Sequence, residues 1–160
     1  MFKHNIRVIA LACIAASLVS MSSAQKASKV HQLKGSISGY LAADSVSFYG
    51  EGGGAGITGI GLCSMNFAMF FGAAGQPVSG DVLFEKEGGT ALSEFIAVLD
   101  VTSVVDTGSG FLYIGTGELR GGTGKFEGAT GTFSWMAQQD GYFDGSQRPT
   151  VFTFDGSIVY

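Results

Sequence analysis

All 26 glycines of this 160-residue chain lie from Gly35 onward. Glycine inside a helix costs roughly 1 kcal/mol relative to alanine, so a segment this rich in it does not sustain long helices. Glycine suits turns, bulges and strands that approach closely. Between the glycines the chain alternates with period two. Leu33, Gly35, Ile37, Gly39 and Leu41 share one parity, and Lys34, Ser36 and Ser38 the other. Phe152, Phe154, Gly156, Ile158 and Tyr160 repeat the pattern against Thr153, Asp155 and Ser157. Period two is the signature of a strand with one apolar face.

Further strands are expected at 45–49, 57–71, 81–86, 111–114 and 132–137. Glu51-Gly52-Gly53-Gly54 reads as a loop or wide turn, Gly72 to Gly80 as a turn, and Gln138 to Pro149 as a polar loop. The run Ile57 to Phe71 lacks polar alternation, which predicts a strand buried on both faces. Residues 90–106 fit a helix through Leu92, Phe95, Ile96 and Leu99, or a strand through Phe95, Ala97, Leu99, Val101 and Val105. The β-branched cluster Val101, Thr102, Val104 and Val105 favours the strand. About eight short strands with turns between them predict an all-β fold, a single antiparallel barrel or sandwich. Closure into a barrel would remove the exposed edges of so apolar a set.

The first 24 residues read as an export signal. Lys3, His4 and Arg7 form a basic start, Val8 to Val19 an apolar run, and Ser22-Ser23-Ala24 a small-residue site, with cleavage between Ala24 and Gln25. About 12 apolar residues are too few for the roughly 20 that span a bilayer. The reading is therefore a signal peptide (1–24), a lead-in (25–32) and a barrel domain (33–160), secreted or periplasmic, with no transmembrane segment in the mature chain. Only five apolar residues precede Cys13, too short a stretch for a lipoprotein site. Cleavage leaves Cys63 as the single cysteine, so an intramolecular disulfide cannot form. It leaves seven basic against thirteen acidic residues, or −6 with His neutral. That balance disfavours nucleic-acid binding, which rests on neutralising phosphates.

The most distinctive segment is Gly121-Gly122-Thr123-Gly124-Lys125-Phe126-Glu127-Gly128-Ala129-Thr130-Gly131. A phosphate loop would carry Ser or Thr after the lysine and open a helix; here Phe126 follows and a strand comes next. The reading from the residues is a structural turn, with glycines at positive φ and Phe126 folded back as a plug. The segment resembles the GGTGxFxxAxG signature of dirigent proteins. It is similar also to the GGTGRFAGATG form of small secreted bacterial proteins with an allene-oxide-cyclase-like barrel. Gly115-Thr116-Gly117-Glu118-Leu119 and Phe154-Asp155-Gly156-Ser157-Ile158 fit the bacterial form. The resemblance spans 111–160, and 33–100 in strand rhythm alone. It implies an eight-stranded antiparallel, calycin-like barrel, but no catalytic residue of either group maps onto this chain.

Other chemistry has little to draw on. His31 is the one histidine after the signal, which argues against a Ser-His-Asp triad, and one His with one Cys argues against zinc. No metal or cofactor is expected. Glu94 and Asp100 would be lumen polar groups if their side of the strand pointed inward, and Glu118 and Arg120 share a parity and could pair. The expected function is the binding of a small apolar ligand, or an envelope or extracellular interaction role. A cyclase- or dirigent-type enzyme and a self-associating structural protein are the alternatives. A binder needs an open apolar lumen, an enzyme needs polar groups converging there, and a structural protein needs a filled one.

Overall fold

The computed structural model describes residues 28–43, 47–73, 75–87 and 93–160. The expected signal and its cleavage point lie outside them. Eight strands follow one another: β1 (Val30–Ala43), β2 (Ser47–Ile57), β3 (Gly61–Phe71), β4 (Pro77–Lys86), β5 (Glu94–Asp106), β6 (Gly110–Gly122), β7 (Thr130–Asp140) and β8 (Arg148–Val159). Each pairs antiparallel with the next, and β8 pairs with β1 from Val30↔Val159 to Leu41↔Arg148, closing the barrel. The expected all-β barrel is what forms. No helix among the described residues is long and apolar enough to cross a membrane.

The alternation sets which wall each residue faces. Leu33, Ile37 and Leu41 of β1, Phe95, Ala97 and Leu99 of β5, and Phe133, Trp135 and Ala137 of β7 are buried in the core. Their polar neighbours stand outside. Glu94 to Asp106 is strand, as its β-branched cluster indicates, and residues 90–92 of that expected segment lie outside the described residues.

Four local expectations are corrected. The turn expected over 72–80 is shorter, because β4 begins at Pro77. The Glu51–Gly54 stretch is not a loop: β2 runs through it, paired with β3, and the glycines are absorbed in an irregularity between Gly53 and Gly56. The 57–71 run is broken by a turn at Gly59–Ile60, and β3 is not buried on both faces. Met65, Phe67 and Met69 point inward, while Leu62 and Phe70 stand outside, 54% and 59% exposed. Ser64 and Asn66 share that outer parity, and an outer wall tolerates Ala68 and Phe70 singly beside them. The loop expected over 138–149 is also shorter, because β7 continues to Asp140 and carries Gln139 inward.

Candidate functional site

A barrel of eight strands has an interior that side chains can just fill, or that can hold one small ligand. Here the described side chains fill the middle of the interior. Phe84 stacks on Phe95 with ring centroids 4.7 Å apart, and meets Phe154 edge-on at 5.4 Å. Phe154 in turn meets Phe133 at 5.9 Å, and Phe67 meets Phe152 at 5.3 Å. These offset and edge-to-face contacts suit aromatic quadrupoles. The space left between Met65, Phe67, Met69, Leu99, Trp135 and Phe152 is about 10 Å³. That is about the smallest void that holds one water, and its lining is apolar.

Glycines make the filling possible. A Cβ on Gly117 would run into the Phe133 ring, one on Gly115 into the Trp135 indole, and one on Gly50 into the Phe67 ring. Each glycine is a notch in the inner wall against which a ring lies. The glycine content noted in the sequence thus serves ring packing as well as turns.

One end of the barrel is sealed by the glycine motif. Gly121 and Gly122 end β6, Gly124–Phe126 form a single 3₁₀ turn, and Gly131 is already paired in β7. Thr123 N–H donates to the Glu94 carbonyl at 2.8 Å, and Ala129 N–H to the Phe126 carbonyl at 2.9 Å. Gly124 and Gly128 have φ of 57° and 71°, a region that disfavours a Cβ. The turn drives Phe126 inside, fully buried, edge-on to Phe95 at 5.3 Å and to Tyr160 at 5.0 Å. Lys125 stays outside with its Nζ over the Tyr160 ring at 5.0 Å. Phe126 and Ala129 are buried and Thr123 is exposed, so the motif is a plug in its geometry.

The four charged residues considered for the lumen are placed outside it. Phe95, Ala97 and Leu99 take the inward parity of β5, which turns Glu94 and Asp100 to the outer wall. Leu119 takes the inward place on β6, so Glu118 and Arg120 flank it outside. Those two do pair, Arg120 Nη2 to Glu118 Oε2 at 3.2 Å, in an exposed position. Asp100 and Glu118 line a shallow outer depression with Thr116, Thr132 and Ser134. Among the described residues no three His, Cys, Asp or Glu side chains cluster closely enough to hold a metal ion.

The buried polar side chains sit at the opposite end, the mouth. Tyr113 Oη donates to Gln139 Oε1 at 3.1 Å, and Gln139 Nε2 donates to the Gly141 carbonyl at 2.6 Å. Burial pushes the Tyr113 phenol well above its ordinary range. Thr150 Oγ1 donates to the Arg148 carbonyl at 3.1 Å. Beside them Arg148 makes an ion pair with Asp144, while its buried Nε has no hydrogen-bond partner among the described residues. Sequence reasoning missed Gln139, because its segment reads as polar loop. The inward parity of Phe133, Trp135 and Ala137, carried two residues further, would have found it.

Above the mouth, the β5–β6 hairpin projects past the barrel wall. Tyr142 ties it down: its hydroxyl donates to Asp106 Oδ1 at 2.6 Å, and its ring meets Phe111 edge-on at 5.2 Å. Among the described residues, large exposed apolar side chains are spread over six strands, and β5 carries three of them, Ile96, Val104 and Val105. No family model, no curated protein and no solved structure matches the chain.

Proposed function

We propose that this protein is an exported interaction barrel, which meets its partner with its outer wall and mouth rather than with a ligand in its lumen. The observation that carries this reading is the aromatic packing of the interior, where the space bounded by Met65, Phe67, Leu99 and Trp135 is about 10 Å³. A drug-sized ligand occupies a pocket of roughly 300–1,000 Å³, so the lumen would have to be rebuilt to admit one. The same filling weighs against a cyclase- or dirigent-type reaction, since Glu94, Asp100, Glu118 and Arg120 stand outside and do not converge. Among the described residues the exposed apolar side chains are scattered over six strands, which weighs against self-association through one apolar face.

The basic, apolar and small-residue pattern of residues 1–24 supports export. The closed eight-stranded barrel and the buried Phe126 plug agree with membership of the allene-oxide-cyclase-like and dirigent-like superfamily, a resemblance that rests on the sequence motif. Fold kinship assigns no activity by itself.

Native mass spectrometry of the protein purified without denaturant tests the reading. The expected spectrum shows the bare polypeptide, or the polypeptide with another protein bound. A stoichiometric small apolar adduct, released on unfolding, would contradict it.

A further inference from the structure

β5 is longer than its neighbour β4. It pairs with β6 as far as Asp106↔Phe111, but its pairing with β4 ends at Ser79↔Asp100. From Val101 to Asp106 its other edge has no strand and no backbone hydrogen bond among the described residues. Thr102 to Asp106 are exposed. An unpaired edge presents a row of N–H and C=O groups that template another strand. Proteins commonly blunt such edges with lysine, proline or a bulge. This one has an irregularity between Val101 and Ser103 in its pairing with β6, but Val101-Thr102-Ser103-Val104-Val105 carries neither lysine nor proline. Valine and threonine are strong strand formers.

Carboxylates bracket the edge. Asp100 is exposed, the Asp106 carboxylate is held by the Tyr142 hydroxyl and the Gly108 N–H, and neither has an ion pair among the described residues. Glu118, the next acid on the outer wall, already has Arg120. A second copy of the barrel is disfavoured by charge, because two-fold pairing centred on Ser103 would set Asp106 of one copy against Asp100 of the other.

We propose that the Val101–Asp106 edge of β5 binds an extended, cationic segment of another polypeptide by strand addition. Main-chain hydrogen bonds would supply affinity, and Asp100 and Asp106 would select basic residues at the two ends. The inference rests on the reading of the barrel as an interaction protein and names the class of partner.

The probe is the peptide acetyl-Lys-Lys-Val-Thr-Val-Thr-Val-Lys-Lys-amide, titrated into the purified protein and followed by hydrogen exchange. Saturable binding is expected, with new amide protection confined to Val101–Asp106. The same peptide with glutamate for lysine should not bind. The Asp100→Asn and Asp106→Asn double variant should weaken binding about three- to tenfold, the scale of two exposed ion pairs. Peptides N-methylated on alternate residues supply a readout specific to strand addition: one parity loses binding and the other keeps it. Both parities failing equally, protection elsewhere on the barrel, or no saturation would overturn the proposal. So would protection of Val101–Asp106 in the protein alone that is lost on dilution, because the occupant would then be a second copy. Failure here with no lumen adduct by native mass spectrometry leaves the interaction reading standing; a lumen adduct removes that reading itself.

Discussion

The indole of Trp135 lies in the space that a Cβ on Gly115 would occupy. The two residues face each other across β6 and β7, and the indole N–H donates to the Thr116 carbonyl at 3.0 Å, holding the ring against the wall. Ring and notch together are why the lumen is filled.

Gly115→Ala should therefore destabilise the barrel by about 1–3 kcal/mol through overpacking, since its methyl would meet both the indole and the Asp100 carbonyl. Gly128→Ala is the companion. Nothing lies within 4 Å of its Cβ, so its cost comes from φ alone, about 1–2 kcal/mol. Urea melts of the two variants check this, and a neutral Gly115→Ala would mean the ring is not tightly seated.

The plug separates structure from ligand chemistry within one motif. Phe126→Ala should cost about 3–5 kcal/mol, as for a fully buried aromatic. Gly124→Val should cost about 1–3 kcal/mol because of its positive φ. Lys125→Ala loses an exposed cation–π contact, worth about 0.5–1 kcal/mol. Nucleotide titrations should show no saturation, and binding that depends on Lys125 would contradict the plug.

The barrel was legible because the alternation of residues such as Leu33, Ile37, Phe152 and Phe154 survives in the structure as the inner wall. The plug was legible because glycines flank a lone Phe126. The orientation of β5 was not. Glu94 and Asp100 share a parity with Ile96 and Val98, so composition left either face free to be the inner one. Packing decided it: Phe95 stacks on Phe84, and the carboxylates are left in water. The free edge of β5 was hidden for another reason. It depends on where β4 starts relative to β5, a register between strands that period two within one strand does not encode.

Burial, and then the nearby charge of Glu87, push the Cys63 thiol up to about 11. The folded protein should react slowly with iodoacetamide at pH 8 and quickly once unfolded. A raised thiol pKa stabilises the fold fully below its ordinary 9.0, and that contribution is lost as pH rises toward about 11. Chemical denaturation across that window should show falling stability, steeper than for Cys63→Ser.

The hairpin tether has its own pH window. Hydrogen bonds from Tyr142 and Gly108 hold the Asp106 carboxyl below its ordinary 3.8, so the tether is present above that value and is lost at more acid pH. The same bond, with the Asp106 charge, raises the Tyr142 phenol above 10.0, so the tether persists until alkaline pH ionises it. NMR titration should find Asp106 protonating below 3.8, with the Gly108 amide losing protection in step. Asp106 titrating at or above 3.8 would contradict the tether.

Trp135, the chain's one tryptophan, lines the small apolar space in the lumen. Its fluorescence, recorded while long-chain fatty acids and apolar aromatic compounds are titrated in, tests the filled interior most directly. The account predicts a blue-shifted emission that acrylamide quenches poorly and that no apolar compound changes saturably. A saturable shift or quench at stoichiometric ligand, with a raised melting temperature, would show that the lumen opens to hold a guest.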